Sequence, residues 1–280
     1  MNIENVLDAG FKKLKNCDLK SAKIDCEILL SNTINKKREY IILNLKKNLN
    51  KKYINYFFKL IQRRVKREPV AYIIRKKNFW KDTFYVDKNV LIPRPDTEHL
   101  VESVLNFTNK TSRSHILDIG TGSGCILLSI LKERKNFLGI GIDISKKCVK
   151  ISKYNAKRLK LDNRSKFYIS DVDNFLIGKY DVVVSNPPYI ERLDLKYLEK
   201  DIVNFEPKLA LEGGYDGFSG ITKVINKTSL LIKKRGLFFL EIGYKQKDKT
   251  IKMLQKKDFY IKKVLKDYGN NYRCIISAKI

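Results

Sequence analysis

Asn186-Pro187-Pro188-Tyr189 closes an apolar, β-branched run, Val182 to Val184, that reads as a strand of a buried parallel sheet. Neither proline can donate to a ladder, and each pushes its predecessor into extended geometry, so the strand ends on a rigid shelf. Open α/β sheets bind their ligands at that end of the strands. The shelf offers one carboxamide, two backbone carbonyls without competing N–H groups, and one aromatic ring. A planar –NH2 suits it: the Asn186 carboxamide and the Pro187 carbonyl can each accept one amino hydrogen while Tyr189 packs against the face. Pro188 completes the candidate substrate site. The same tetrapeptide also serves as a turn after a strand, and the remainder of the chain has to decide.

A second constellation lies upstream. His115-Ile-Leu-Asp-Ile-Gly-Thr-Gly-Ser-Gly124 is a strand running into a glycine-rich turn and then a helix, a geometry that lets a ligand approach the backbone closely. A dinucleotide fingerprint needs Gly-x-Gly-x-x-Gly, but Cys125 stands where the third glycine belongs. What is present is Gly120, Thr121, Gly122, Ser123 and Gly124, with Asp118 just before them. Asp118 is badly placed for a pyrophosphate yet able to accept a hydrogen bond from an ammonium. Asp143 ends the next strand and can chelate two ribose hydroxyls; Asp171 ends the third and can meet an adenine amino group. An amino-acid head, a ribose and an adenine together describe S-adenosylmethionine, with Asn186 bordering it. A Rossmann-like domain using NAD, or no cofactor, is the competing reading; the ordered set of strand-end acids favours the methyl donor.

The elements around these residues follow from periodicity. After residue 114, strands at about 115–119, 138–143, 166–170, 180–185 and 236–242 alternate with helical patterns at 124–134, 146–160, 220–234 and 245–256. Two further strands, Phe259 to Leu265 and Tyr272 to Ala278, form a terminal antiparallel hairpin. The fold expected is α/β: a Rossmann-like class I methyltransferase sheet of seven mostly parallel strands. Residues 1–70 read instead as a small bundle of about four helices, with apolar stripes such as Ile3, Leu7, Phe11 and Leu14. Between them, residues 71–95 favour strands, including Tyr72-Ile-Ile, and read as a hairpin linker. Asp96-Thr97 is positioned to cap a helix that opens the methyltransferase domain, residues 96–280.

Composition limits the alternatives. The 280 residues include 43% hydrophobic ones, enough for a real core. Met1 to Lys15 lacks the apolar region of a signal peptide, and no apolar run is long enough to span a bilayer, so a cytoplasmic location is expected. The five cysteines are scattered and the two histidines isolated, which argues against a disulfide framework and against a metal site. A net charge of +28 suggests an anionic partner. Residues 1–85 carry 21 basic and 8 acidic side chains, yet Lys occurs throughout, alongside abundant Ile and Asn, as an AT-rich coding bias also produces.

With both sites read, the chain resembles the glutamine-N5 methyltransferases that modify class I peptide chain release factors. The match runs through Arg67-Glu68-Pro69, Leu91-Ile-Pro-Arg-Pro-Asp-Thr-Glu98, Asn186-Pro-Pro-Tyr189, Phe205-Glu-Pro207, Gly213-Gly-Tyr-Asp-Gly217, Leu240-Glu-Ile-Gly243 and Asp267-Tyr-Gly-Asn-Asn-Tyr-Arg273. It implies methyl transfer from S-adenosylmethionine to a glutamine of a Gly-Gly-Gln loop, with the helical first third gripping the release factor. It implies catalytic roles for Asn186, Pro187 and Tyr189, and neither a metal nor a membrane; contact with nucleic acid is compatible but not required. Two positions depart from the pattern: Arg75 stands where a glycine commonly follows Tyr-Ile-x, and Val172 where an aromatic often packs on adenine. An amide lone pair is delocalised, so the mechanism expected is alignment of the nitrogen with the donor methyl, without a general base. The rival readings are N6-methylation of adenine in nucleic acid, and a ribosome- or RNA-binding protein with a vestigial site. The chain shows no second large target-recognition domain for the former.

Overall fold

A computed structural model describes all residues, Met1–Ile280. The chain divides into two compact units, Met1–Lys76 with Glu199–Phe205, and Lys77–Leu198 with Glu206–Ile280. No helix is long and apolar enough to cross a membrane.

The first unit is built from α1 (Ile3–Lys15), α2 (Ala22–Ile34), α3 (Arg38–Leu43), α4 (Lys51–Val65) and α5 (Val70–Ile74). Asn2 and Asn50 start α1 and α4 by accepting from the N–H groups of Asn5 and Lys52. Ile3, Val6, Leu14, Leu29, Leu30, Phe57 and Ile61 fill the core between the helices. Gly10 lets α1 approach α4, since a Cβ there would stand 2.8 Å from the Phe57 ring. Buried Arg64 donates to Asp25 Oδ2 at 2.7 Å and to Asp201 Oδ2 at 2.5 Å. That pairing neutralises an otherwise unaffordable interior cation and fastens segment Glu199–Phe205 to the bundle. Tyr72-Ile-Ile is helical here, not the strand expected. Tyr72 and Ile73 are almost fully buried, and Ile73 belongs to the bundle core, so tertiary packing overrides β-propensity.

The second unit opens with a hairpin, β1 (Lys77–Phe79) and β2 (Asp82–Phe84), followed by α6 (Glu98–Phe107). Then come β3 (Ser114–Ile119), α7 (Cys125–Glu133), β4 (Phe137–Asp143), α8 (Lys146–Arg158), β5 (Ser165–Ile169) and β6 (Tyr180–Ser185). After α9 (Lys200–Phe205), which lies in the first unit, follow α10 (Ser219–Leu231), β7 (Ile232–Glu241), α11 (Lys247–Gln255), β8 (Phe259–Lys266) and β9 (Tyr272–Lys279). The sheet order is β5-β4-β3-β6-β7-β9-β8, parallel except for the terminal hairpin. This is the seven-stranded sheet expected from the sequence. Strand β7 begins inside the helix expected over 220–234, because Ile232 pairs with Tyr180 across a register shift.

Alternation along the strands assigns the two faces. Ile116, Val182, Val184 and Phe239 pack toward α6, α7 and α8, whereas Leu117, Val183, Phe238 and Leu240 pack toward α10 and α11. Strand β3 pairs with β4 on one side and β6 on the other, and successive strands depart from it in opposite directions. The crevice at its carboxyl end is therefore the switch point where such sheets bind ligands.

Arg75 ends α5 at φ +55°, ψ +34°, the left-handed cap that favours glycine. Its exposed side chain makes no polar contact that would offset the strain. Arg75→Gly should therefore stabilise the protein by about 0.5–1 kcal/mol in equilibrium urea unfolding. An unchanged or lower midpoint would show that the cap carries no strain.

Candidate active site

From Ile119 the chain turns through Gly120–Gly124 into α7, with φ at Gly120, Gly122 and Gly124 of +75°, +54° and +79°. A Cβ added at Gly120 or Gly122 would meet nothing within 4 Å, so the turn borders open space. That space is a cavity of about 280 Å³, bounded by the turn, by Asp143 at the end of β4, by Asp171 and Val172 after β5, and by Asn186–Pro188 after β6. The turn is held from beneath. The N–H groups of Gly120 and Thr121 both donate to the Ile142 carbonyl at 2.9 Å. Asn155 Nδ2 donates to the Ser123 carbonyl at 2.9 Å.

The three strand-end acids take different positions. Asp143 accepts from Gly122 N–H at Oδ2 and from Ser145 N–H at Oδ1, both at 2.9 Å, which aims the carboxylate along the cavity wall. Each oxygen retains a lone pair for a hydroxyl. Asp171 Oδ1 accepts from Asp173 N–H at 3.0 Å. Asp118 is fully buried beneath the turn, off the cavity wall. Its Oδ2 accepts from Thr121 Oγ1 at 2.7 Å, and its Oδ1 has no partner. Burial pushes Asp118 up to about 7 against the Thr121 hydroxyl, and Asp143 adds to the rise. Burial also raises Asp143, against the two N–H groups it accepts from. Thr121, Ser123 and Gly124 likewise stand behind the wall formed by Gly120 and Gly122. The wall is anionic, and its one cation, Lys223, is paired with Asp173 at 3.0 Å. Asp118, beneath the turn, therefore does not reach the cavity to meet an ammonium as expected; the acids that do line it, Asp143 and Asp171, with the glycine turn, fit a cationic ligand bearing hydroxyls and exclude a diphosphate from the turn.

The shelf adjoins this cavity. Asn186 Nδ2 donates to Thr97 Oγ1 at 3.1 Å, so its Oδ1 is the free end of the carboxamide. The Pro187 carbonyl accepts no hydrogen bond from the chain. Asn186 Oδ1 and the Pro187 carbonyl are thus unengaged acceptors on two residues that line the cavity. Gln246, nearly fully buried, fixes the backbone beyond them: Nε2 donates to the Tyr189 carbonyl at 3.1 Å and to the Gly217 carbonyl at 3.0 Å. A Cβ at Gly213 would lie 2.8 Å from Tyr189 Cα, and one at Gly217 2.6 Å from the Tyr189 oxygen. The 213–217 loop is therefore a buttress behind the shelf. The Tyr189 ring lies off the cavity wall, with its hydroxyl 3.5 Å from Glu241 Oε1. Burial pushes the Tyr189 phenol upward, and Glu241 reinforces this. Arg94 pairs with buried Glu206 at 2.6 Å, and Glu206 also accepts from Ile92 N–H, which ties the Leu91–Arg94 segment beside the cavity.

Sequence reasoning missed four residues here. Thr97 was expected to cap α6, but its side chain caps nothing and faces Asn186 instead. No local signal joins positions so far apart in the chain. Glu241 could have been found, since a lone acid ends the apolar run Leu237–Leu240, as Asp143 and Asp171 end theirs. Lys223 and Gln246 lie on unremarkable polar segments.

Two family models match the chain, "PrmC N-terminal domain" over residues 5–74 and "Methyltransferase small domain" over residues 97–213. The release factor glutamine methyltransferase of Buchnera aphidicola subsp. Schizaphis graminum is 40% identical over 279 residues, covering 100% of both chains. The chain belongs to the release factor glutamine methyltransferase family. A relative of the same name from Clostridium acetobutylicum is 33% identical over 282 residues, covering 100% of this chain and 99% of its own. Among solved structures, a methyltransferase from Pyrococcus furiosus superposes with a TM-score of 0.52 at 17% identity, covering 70% of this chain and 88% of that one. The likeness confirms the class I methyltransferase fold of the sheet. The cofactor of this family member is S-adenosylmethionine, as its strand-end acids indicated.

Asp118 and Glu241, the latter also pushed up to about 7 by burial, make folding proton-linked. Between about pH 4 and 7 the folded protein keeps protons that the unfolded chain has released, so stability falls as pH rises through that window. Each acid should contribute a fall of about 3–4 kcal/mol or less. Urea unfolding of ligand-free protein at pH 5 and pH 7 checks this, with Asp118→Asn expected to flatten the dependence. Stability rising over the same window would refute it.

Proposed function

We propose that the enzyme transfers a methyl group from S-adenosylmethionine to the side-chain amide nitrogen of the glutamine in the Gly-Gly-Gln loop of class I peptide chain release factors. The observation that carries this reading is the pair of unengaged acceptors, Asn186 Oδ1 and the Pro187 carbonyl, beside the donor cavity. A primary amide has two N–H groups, and two fixed acceptors define both its plane and its direction. The bound donor supplies an electrophilic methyl on a sulfonium.

The residues of the chain supply alignment. Asn186 and Pro187 hold the amide hydrogens, so the nitrogen faces the cavity. Placement of this kind is worth several kcal/mol, about 7–11 at its upper limit. Pro188 and the Gln246-braced backbone of Tyr189 keep the two acceptors at constant separation. Asp143 holds the donor's hydroxyls and Asp171 its amino group, with Gly120–Gly124 as the cradle and Asp118 supporting it through Thr121. No base is needed, because a methylated amide nitrogen is acidic enough to lose its proton to water. The helical unit, residues 1–70 with the segment 71–95 leading from it, is assigned recognition of the release factor, and its positive charge suits an acidic surface.

Radiolabelled methyl from S-adenosylmethionine, offered with a class I release factor, with the same factor lacking its loop glutamine, and with adenine-containing DNA, tests the substrate. Label on the intact factor alone is expected; label on DNA alone would reverse the assignment to adenine. For the roles of residues, Asn186→Ala should lower kcat by at least 100-fold with donor Kd nearly unchanged. Asp143→Ala should weaken donor binding by 10-fold or more, read by titration calorimetry. Equal losses of donor binding in both variants would sink the division of labour.

A further inference from the structure

Two lysines of α10 hold the segment that follows β5. Lys223 and Lys227 stand four residues apart on the helix, and so share a face. Lys227 is 5% exposed, and its Nζ donates to the Asp173 carbonyl at 2.8 Å. Lys223 Nζ lies 3.0 Å from Asp173 Oδ2. One helix therefore grips Asp173 at its main chain and at its side chain. The remaining polar group of Asp173, its N–H, donates to Asp171 Oδ1 at 3.0 Å. We propose that Lys227, together with Lys223, is a positioning residue that fixes the Asp171 carboxylate through Asp173, and thereby selects an adenosyl donor over one whose purine carries a carbonyl in place of the amino group.

Burial is what makes Lys227 informative. Val224, Thr228 and Leu231 are buried on the same helix, so position 227 belongs to its inward side, where lysine is seldom found. An ammonium there is costly unless it meets an acceptor. No carboxylate pairs with it, and the acceptor it meets is a main-chain carbonyl. The lysine thus fixes a backbone atom, and it does so in the short stretch that also brings Asp171 and Val172 to the cavity wall.

The consequence falls on Asp171. Its main-chain oxygen accepts from Asn174 N–H at 3.2 Å and from Ser170 Oγ at 2.8 Å. With Oδ1 committed to the Asp173 N–H, Oδ2 accepts from nothing in the chain and is the end left for a ligand. A carboxylate has only lone pairs to offer. An exocyclic –NH2 gives it a hydrogen, whereas a carbonyl at the same ring position sets lone pairs against lone pairs. An acceptor that is free to swing aside tells the two apart poorly; one that is held in place rejects the group that cannot donate. Val172, beside it, adds aliphatic surface without a polar side chain, and so takes no part in that choice.

Selection by Lys227 rests on the assignment of Asp171 to the amino group of the donor, and is independent of what accepts the methyl group. The full-length protein would be titrated calorimetrically with S-adenosylhomocysteine and with S-inosylhomocysteine, which bears a carbonyl where the adenine has its amino group. The wild-type protein should bind the adenosyl compound about 10-fold more tightly, or better. Lys227→Met, which keeps the buried stem, should cut that ratio to about threefold or less by weakening the adenosyl compound, with no loss of inosyl affinity. Lys223→Met, at an exposed position where folding is not at stake, should lower the ratio by about twofold or more. Hydrogen exchange at the Asp173 and Asn174 amides should quicken by about 10-fold in Lys227→Met while β4 is unchanged. A wild-type ratio near one would overturn the role of Asp171, and the selection with it. A large ratio that survives both lysine variants, or equal losses for the two ligands, would overturn the positioning role of the lysines while that of Asp171 stands.

Discussion

Proline carries no N–H, and two in succession at the carboxyl end of β6 leave a stretch of backbone that can accept hydrogen bonds but scarcely donate them. A ligand with a planar –NH2 meets no competing donor there. Neighbouring parts of the second unit hold that stretch in place. Gln246 grips the carbonyl beyond the prolines, while Gly213, Gly217 and Gly220 permit neighbouring backbone to press against it at distances no side chain would allow. The 213–217 glycine loop is thereby spent on rigidity.

The acids of the site illustrate how one residue type is given several tasks by its surroundings. Asp143 keeps both oxygens anchored to backbone N–H groups at the cavity edge, where a carboxylate remains a good acceptor. Asp118 lies deeper, with one oxygen bound to Thr121 and the other orphaned, and shapes the turn it supports. Glu241 is also buried, with the Tyr189 hydroxyl 3.5 Å from its Oε1 and its Oε2 without a partner. Burial without full pairing is destabilising for a carboxylate. Both such groups lie at the carboxyl ends of interior strands, β3 and β7.

The first unit obeys a different logic. Its core is apolar and its one buried cation is neutralised twice, by Asp25 and Asp201. Since Asp201 comes from a segment more than a hundred residues downstream, that pairing makes a distant stretch of chain part of the bundle. Where a boundary falls is thus decided by which apolar side chains find a common core. Tyr72 and Ile73 follow the helices for that reason, although their types favour strands.

Strand order excepted, the sequence by itself determined the sheet. Alternating apolar runs and strand-end acids state their own periods locally, and the glycine turn and the paired prolines impose backbone geometry wherever they stand. The placement of Asn186, Pro187 and Asp143 at the carboxyl ends of strands was legible for the same reason. Tertiary structure alone decided which side-chain end of Asn186 is free, because that depends on Thr97, a residue whose own neighbours suggested a helix cap. It also decided that Asp118 lies under the turn, that the 213–217 loop is a buttress, and that Tyr72-Ile-Ile is helical. Each of these turns on contacts between residues far apart in the chain, and hydrogen-bond direction and burial exist only once those residues have met.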